Sequence, residues 1–493
     1  MTYDVIVVGC GIAGLSAAVT ASELGASVAL LERSSKEERG GNTRWTEALL
    51  RMKNENAVSD DFEDHFAKNA GHHLDPKLVN ETARPYEEWP AITKVLNFTD
   101  PALIRTLASN AVPTIAWLKG FGVRFGALPT YFITASQPRI SPSGGGLALV
   151  ETLAAEAEKR GVRFFYETAA QKLLQDEIGN VAGVSAIGPD GRRLALRGSA
   201  VVLACGGFEG NPEMLARYIG AQARYIRPVA RGGYYNKGEG IRMALEIGAA
   251  PCGDYSSFHA EPLDPRSGAT EPVIMAINYG ILANKLGERF TDEAPVTIDA
   301  AYEAITRVIL EQPSGIAYLI LDAGIEDIAG WRRSIRSDQP PITAQSIEEL
   351  AAKIEVGAVA LTHTVDRYNK ACRPGAFNPF ALDGLRTDES LSPVKSNWAR
   401  PLSKPPFLAY PIICGNCFTF GGLKVNHHAQ VLTADGVPIP GLYAAGETIG
   451  LYYGAYTGAT SVLRGAVFGR LAGKHCISLE RAAADAIPNL SGA

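Results

Sequence analysis

Sulfur is scarce in this chain: seven cysteines and five methionines are spread over 493 residues. Cysteines so few and so dispersed do not form a disulfide framework, which excludes a small, stapled, secreted scaffold. One pair, Cys414-Gly415-Asn416-Cys417, has redox spacing. It lacks the strand-then-helix setting of a dithiol motif, and no second pair is present to complete a zinc site, so packing is its expected role and no metal is expected. No apolar run is long enough to span a bilayer. A net charge of -5 with both signs interspersed leaves no footprint for nucleic acid. No leader is expected, because an apolar strand begins within four residues of Met1 and leaves no room for a basic region and an apolar core. The expectation is a soluble, cytoplasmic protein with no direct membrane insertion.

What is present is a 46% hydrophobic composition, enough at this length for a sizeable core and two to three domains. Asp4 to Val8 reads as a buried strand and runs into Gly9-Cys10-Gly11-Ile12-Ala13-Gly14. An apolar helix, Leu15 to Leu24, and a second strand, Ser27 to Leu31, complete a βαβ unit that ends at Glu32. Gly9 allows the tight turn, Gly11 lets the backbone approach a pyrophosphate, and Gly14 permits close helix–strand packing; the helix N-terminus offers N–H groups to the anion, and Glu32 would hold a ribose hydroxyl pair. This is a dinucleotide site.

Further along, Gly40-Gly41-Asn42-Thr43-Arg44-Trp45-Thr46 suits a loop that touches a cofactor, or an ordinary turn. The stretch from Asp60 to Leu118 reads as mostly helical with proline breaks, and His72-His73 falls in a polar turn, where it is expected to be solvated. The loop Pro138 to Gly146 meets a ligand or merely caps the helix Leu147 to Arg160. Ala200 to Leu203 reads as a buried strand that ends in Ala204-Cys205-Gly206-Gly207, a second close approach to a nucleotide. From about Asp254 to Ile413 the composition turns loop-rich and mixed, with helices expected at Ala301 to Glu311 and Ile347 to Tyr368. This looks like an insertion. Only one complete GxGxxG is present, which points to a single tightly held dinucleotide rather than a flavin with its own NAD(P)H domain.

The segments GGNTRWTEALLRM (40–52), VVLACGGFEGNPEM (201–214), YYNKGEGIRMALEIGA (234–249), GERFTDE (287–293), ILEQP (309–313), KSNWARPL (395–402) and TFGGLKVN with IPGLYAAGE (419–447) span nearly the whole chain in order. The set resembles the fumarate reductase/succinate dehydrogenase flavoprotein family, most of all its tricarballylate dehydrogenase branch. The resemblance implies an α/β fold with an α+β cap: a discontinuous Rossmann-type FAD-binding domain at 1–253 and 416–476, a capping or substrate domain at 254–415, and a C-terminal tail at 477–493. It implies FAD held by Gly9, Gly11, Ile12, Ala13, Gly14, Glu32 and Arg33, with Gly40, Gly41, Asn42, Thr43 and Arg44 beneath the cofactor. Ala170, Ala204, Cys205, Gly206 and Gly207 approach the nucleotide, Gly446 and Glu447 the ribityl chain, and Ser461, Val462 and Leu463 the pyrimidine edge of the flavin. Family members that attach FAD covalently do so through a His-Thr motif; this chain has Arg44-Trp45-Thr46 there, so FAD is expected to be noncovalent.

The resemblance also implies oxidation or reduction of a C–C bond next to a carbonyl or carboxylate. Fumarate itself is not expected, because the histidine before the Gly-Gly motif is replaced by Thr419-Phe420, the arginine of the Asn-Arg-Leu-Gly-Gly loop is missing from Gly454 to Thr460, and Ala294 to Ala301 holds no proton-donating arginine. Tyr456 and Thr460 match instead the spacing with which ketosteroid dehydrogenases bind a carbonyl through a tyrosine hydroxyl and a backbone N–H four residues on. Two such donors would stabilise charge developing on the oxygen. Tyr302 is the first candidate for proton exchange. His259, Phe420, Arg386 and Arg289 are candidates for substrate contact. A quinone-linked protein, another protein or O2 would serve as external electron partner. A ketosteroid-type desaturase of a bulky ketone is the alternative enzyme, with a flavin monooxygenase or an electron-transfer module behind it.

Overall fold

The computed structural model describes residues 2–69, 75–127 and 139–485. His72, His73 and Pro138 lie outside them. Five parallel strands form the heart of the first sheet, in the order Arg163–Phe165, Val28–Leu31, Thr2–Val8, Arg193–Leu203 and Pro438–Ala444. Val5 to Val8 and Val28 to Leu31 are buried along their whole run, as strands covered on both faces must be. Gln430–Leu432 adds an antiparallel edge, and the strands Ala169–Gln175 and Val181–Ile187 fold back onto the first half of Arg193–Leu203. The fifth parallel strand comes from the far end of the chain, which is the discontinuity expected. The crevice at the carboxyl ends of these strands is where an open α/β sheet binds its ligand.

The helix Ile12–Glu23 lies against the helix Ser461–Asp485. Gly465, Gly469 and Gly473 recur one turn apart on the contact face. A Cβ at Gly469 would fall 2.2 Å from the Ala13 carbonyl oxygen, and one at Gly473 2.4 Å from that of Ala17. Larger residues would push the helix off the dinucleotide turn.

The second sheet is built on one long strand, Phe407–Thr419, which pairs with Ile316–Leu321, Phe258–Leu263, Ile342–Ala344 and the short Arg227–Pro228. The position 415/416 falls inside this continuous strand. The helix Ile298–Leu310 packs Ile298, Ala301, Ile305 and Ile309 onto Leu319 and Ile412, the spacing of a helix with one buried face. The single helix expected over Ile347 to Tyr368 is two, Ile347–Lys353 and Ala358–Ala371. Glu355 between them takes a positive φ of 57° and Gly357 precedes the second, so the helical register cannot continue. The C-terminal end of the long strand carries Cys417 and Phe418 to the crevice of the first sheet, and there the site forms. No helix among the described residues is long and apolar enough to cross a membrane.

Candidate active site

The site begins at the turn after Val8. Gly9 has φ 107°, and a Cβ there would lie 2.3 Å from the Ala204 carbonyl oxygen; one on Gly14 would lie 1.9 Å from that of Gly9. Only glycine lets the turn press against the strand that ends in Ala204 and the helix start back against the turn. The helix has no side-chain cap at Gly11. Thr43 Oγ1 accepts from the Ile12 N–H at 3.2 Å and ties the second loop to the first. The buried Glu32 carboxylate accepts from the Cys10 N–H at 3.0 Å and from the Ser34 N–H and hydroxyl at 2.8 and 2.9 Å, fixing it at the groove's edge.

From here a continuous cleft of about 800 Å³ runs to the second sheet. Of the expected cofactor residues, Gly9, Gly11, Ile12, Ala13, Glu32, Arg33, Gly40 to Thr43, Ala170, Ala204 to Gly206, Gly446, Glu447, Ser461 and Val462 line it. Gly14, Arg44, Gly207 and Leu463 do not. Gly14 lies under the turn, Gly207 is pressed against Glu447 and Thr419, Leu463 is buried in the core, and Arg44 points out to Glu151 at 2.9 Å. A Gly-built turn at a helix N-terminus, an acid at the neighbouring strand end and a groove this long fit an extended dinucleotide such as FAD.

Beneath the groove lie groups that sequence reasoning missed. Glu209 Oε1 accepts from the side-chain amides of Asn42 and Asn236, each at 2.6 Å. Burial first, then the Glu447 carboxylate, raises the Glu209 carboxyl well above its usual range, so Glu209 holds its proton. Arg464, 1% exposed, donates to the Ile449 carbonyl at 3.3 Å and lies 4.6 Å from the Tyr452 ring centroid. It brings a buried cation to the cleft at the start of the last helix.

The far end brings together His259, Tyr302 and Tyr456. The Tyr302 hydroxyl is 3.3 Å from His259 Nε2, and the His259 and Tyr456 ring centroids are 4.4 Å apart. Glu303 approaches His259 Nδ1 at 3.5 Å and Glu261 approaches Nε2 at 3.6 Å. Burial by itself would lower the imidazolium pKa, but Glu261 and Glu303 together outweigh it and lift it to about 9. Tyr302 is raised too: desolvation, then Glu261 and Glu303, push its hydroxyl well above 10, so it stays protonated. It is a neutral phenol here, not a preformed tyrosinate base.

The Tyr456 hydroxyl accepts from the N–H groups of Thr460 and Ser461 at 3.0 and 3.1 Å and donates to Ser461 Oγ at 3.0 Å. Tyr456 and the Thr460 N–H are therefore joined to each other here, and do not stand side by side as two open donors. Accepting two N–H bonds polarises the tyrosine O–H, which turns toward a ligand by releasing only Ser461 Oγ. The Thr460 hydroxyl donates to the Thr457 carbonyl at 2.5 Å and lies outside the cleft lining.

Three expected substrate contacts fall elsewhere. Arg289 is closed onto Glu293 at 2.7 Å inside the second domain, where GERFTDE forms its own buried pair. Arg386 is on the surface beside Glu389 at 2.9 Å. Phe420 is fully buried behind the wall, 5.7 Å from Phe418 between ring centroids; Phe418 is the residue that lines the cleft. Phe420 lies one residue past the end of the strand at Thr419, where the chain bends away from the cleft. Alternation along the strand separates Cys414, packed with Phe258 and Ala260, from Cys417 in the cleft. Glu303 and Arg307, one helical turn apart beside Tyr302, were the signal available in the sequence for the second wall.

Residues 4–463 match the profile of a family described as FAD binding domain. Fumarate reductase (cytochrome) of Shewanella frigidimarina is 29% identical over 486 residues, covering 96% of this chain and 76% of that protein. Urocanate reductase of Eggerthella lenta is 30% identical over 492 residues, covering 97% and 75%. Among solved structures, 3-ketosteroid-Δ4-(5α)-dehydrogenase from Rhodococcus jostii RHA1, in complex with 4-androstene-3,17-dione, superposes with a TM-score of 0.65 at 27% identity, covering 96% of both chains.

Proposed function

The chain belongs to the FAD binding domain family and is an FAD-dependent oxidoreductase acting on C=C and CH–CH bonds; from that premise we propose that it works on a C=C bond conjugated to a carboxylate or carbonyl, in the direction of reduction, on a polycarboxylate of the tricarballylate class. FAD, when bound, supplies two-electron chemistry at the substrate carbon facing it. The protein's own residues supply the rest. Tyr302 delivers a proton to the neighbouring carbon, His259 beside it restores that proton, and Tyr456 donates to the conjugated oxygen as charge builds there. The single observation that carries this reading is the Tyr302 hydroxyl 3.3 Å from His259 Nε2 at the far end of the cleft, beside Tyr456.

The names of two relatives fit the same chemistry, since fumarate and urocanate both carry a C=C bond conjugated to a carboxylate. Reducing equivalents enter from an external partner, in keeping with a single dinucleotide turn. A neutral ketone is the second reading, favoured by the aromatic wall of Phe418, Tyr456 and Tyr302 and by the steroid-bound structure.

The test is anaerobic reoxidation of the reduced flavin by a panel of unsaturated polycarboxylates, enones and steroids, matched by bleaching of the oxidised flavin by the saturated partners. Reoxidation by an unsaturated acid, lost in Tyr302→Phe with FAD content unchanged, is the expected result. Turnover of ketones alone would replace the first reading by the second, and no response across the panel would refute both.

A further inference from the structure

Two arginines on the first domain's side of the cleft have no part in the chemistry above. Arg51 is 2% exposed. Its Nη2 donates to Asp61 at 2.5 Å and its Nη1 to the Gly458 carbonyl at 3.3 Å, while its Nε is buried with no hydrogen-bond partner. The Arg51 backbone N–H donates to the Ala459 carbonyl at 2.7 Å, which pins the residue to the loop that carries Tyr456. Arg139 reaches the same loop from the other side: a Cβ on Gly458 would lie only 3.1 Å from its Nη2. Both guanidinium groups converge on Gly458, two residues from Tyr456, and both line the cleft.

The other walls are differently committed. Arg307 is bonded to Glu303 at 3.0 Å, and Arg336 is held between Glu47 and Glu271 at 2.7 and 3.1 Å. His259 lies between Glu261 and Glu303. Each of these cations is flanked by carboxylates, so that wall does not attract an anion. Among the described residues, Arg51 pairs with Asp61, and Arg139 and the half-buried His65 stand near it; burial and then Arg51 keep His65 toward its neutral form.

We propose that Arg51 and Arg139 form the carboxylate-binding subsite of the cleft, gripping a substrate carboxylate beside Gly458 and directing the carbon chain toward Tyr302. Arginine forks suit planar anions, and a buried Nε–H left without a partner is a donor that such an anion would satisfy. The subsite rests on the reading that a conjugated acid occupies this cleft. It explains how a carboxylate is held by a chain whose Gly454 to Thr460 loop has no arginine: the cations arrive from the segment after the second glycine loop and from Arg139, just before the strand Ile140–Pro142. A side chain at Gly458 would crowd the Arg139 guanidinium.

The test uses the FAD-loaded protein and follows the flavin absorbance while tricarballylate or its trimethyl ester is added. Tricarballylate is expected to change the spectrum of the wild type. Arg51→Gln and Arg139→Gln should each weaken that response by about tenfold or more with FAD content unchanged. Asp61→Asn, which keeps the Arg51 charge and releases Nη2, should bind tricarballylate as tightly as the wild type or more so. The ester should give no response. Equal weakening in Arg51→Gln and Asp61→Asn would make Arg51 a structural partner of Asp61 and overturn the subsite, as would binding of the ester or no response in the wild type. If the expected binding pattern appears but no unsaturated acid reoxidises the reduced flavin, the subsite stands and the proposed reaction fails.

Discussion

The buried carboxyl groups of Glu209 and Glu447 lie near enough to each other below the cofactor groove for the charge of one to act on the other. Burial is the first cause that raises both, and the Glu447 charge raises Glu209 further. A group whose folded pKa lies above its unfolded value adds stability at low pH and loses it as pH rises. Above the ordinary value of 4.5, therefore, folding must hold a proton that the unfolded chain releases. Glu209→Gln removes that requirement and keeps the neutral shape. The difference in Tm between Glu209→Gln and the wild type should grow in the variant's favour from about pH 5 upward; parallel pH profiles would show that the proton is not retained.

His259 obeys the same sign rule. Its contribution to stability is complete below the ordinary value of 6.5 and is lost as pH rises through about 9. If it restores the proton to Tyr302, the alkaline limb of the reductive rate should fall near pH 9, and Glu303→Gln should move that limb to lower pH by removing one of the two acids that hold the charge. A pH–rate profile of the two proteins decides it, and an unmoved limb would remove His259 from the proton path.

Tyr456→Phe deletes the acceptor of two backbone N–H groups as well as the donor to substrate. Turnover should fall by about 10²–10³, the usual scale for one such donor. Loss of the two accepted bonds should lower stability by about 1–3 kcal/mol. Rate and thermal melt measured together separate the two roles; a destabilised variant with undiminished turnover would leave Tyr456 as a cap of the last helix.

At Gly14, an added methyl group would meet the Gly9 carbonyl oxygen at 1.9 Å, whereas Gly25 has nothing within 4 Å. Gly14→Ala should cost about 1–3 kcal/mol in chemical denaturation and lose FAD on gel filtration. Retention of stoichiometric FAD would show that the turn has slack the structure does not display.

No histidine occupies Arg44-Trp45-Thr46, and Arg44 is turned away onto Glu151. Acid precipitation should therefore release the yellow chromophore into the supernatant. A coloured pellet would reveal a covalent link elsewhere.

The first βαβ unit, Glu32 and the glycine loops could be read from the sequence because their signals are local: a buried strand, a turn only glycine can make and a helix start follow within a few residues. The return of Pro438–Ala444 to the same sheet was expected only through the family resemblance, which assigned 416–476 to the first domain. Substrate contacts were less legible. Arg289 and Arg386 looked suitable as cations, yet each closes onto an acid three or four residues away. Which arginines face the cleft depends on elements brought together from residues 51, 139 and 458, and no local pattern encodes that meeting. Phe418 lies inside the strand Phe407–Thr419 and Phe420 just past its end, and where that strand stops is set by its partners across the sheet. Tyr302 could be named from its helix, but whether it gives or takes a proton required Glu261, Glu303 and His259 around it, because burial and neighbouring charge decide a pKa. By itself the sequence determined the cofactor turn and the chemistry it supports; tertiary packing alone decided which charges face the substrate, since a side chain's charge acts through what surrounds it.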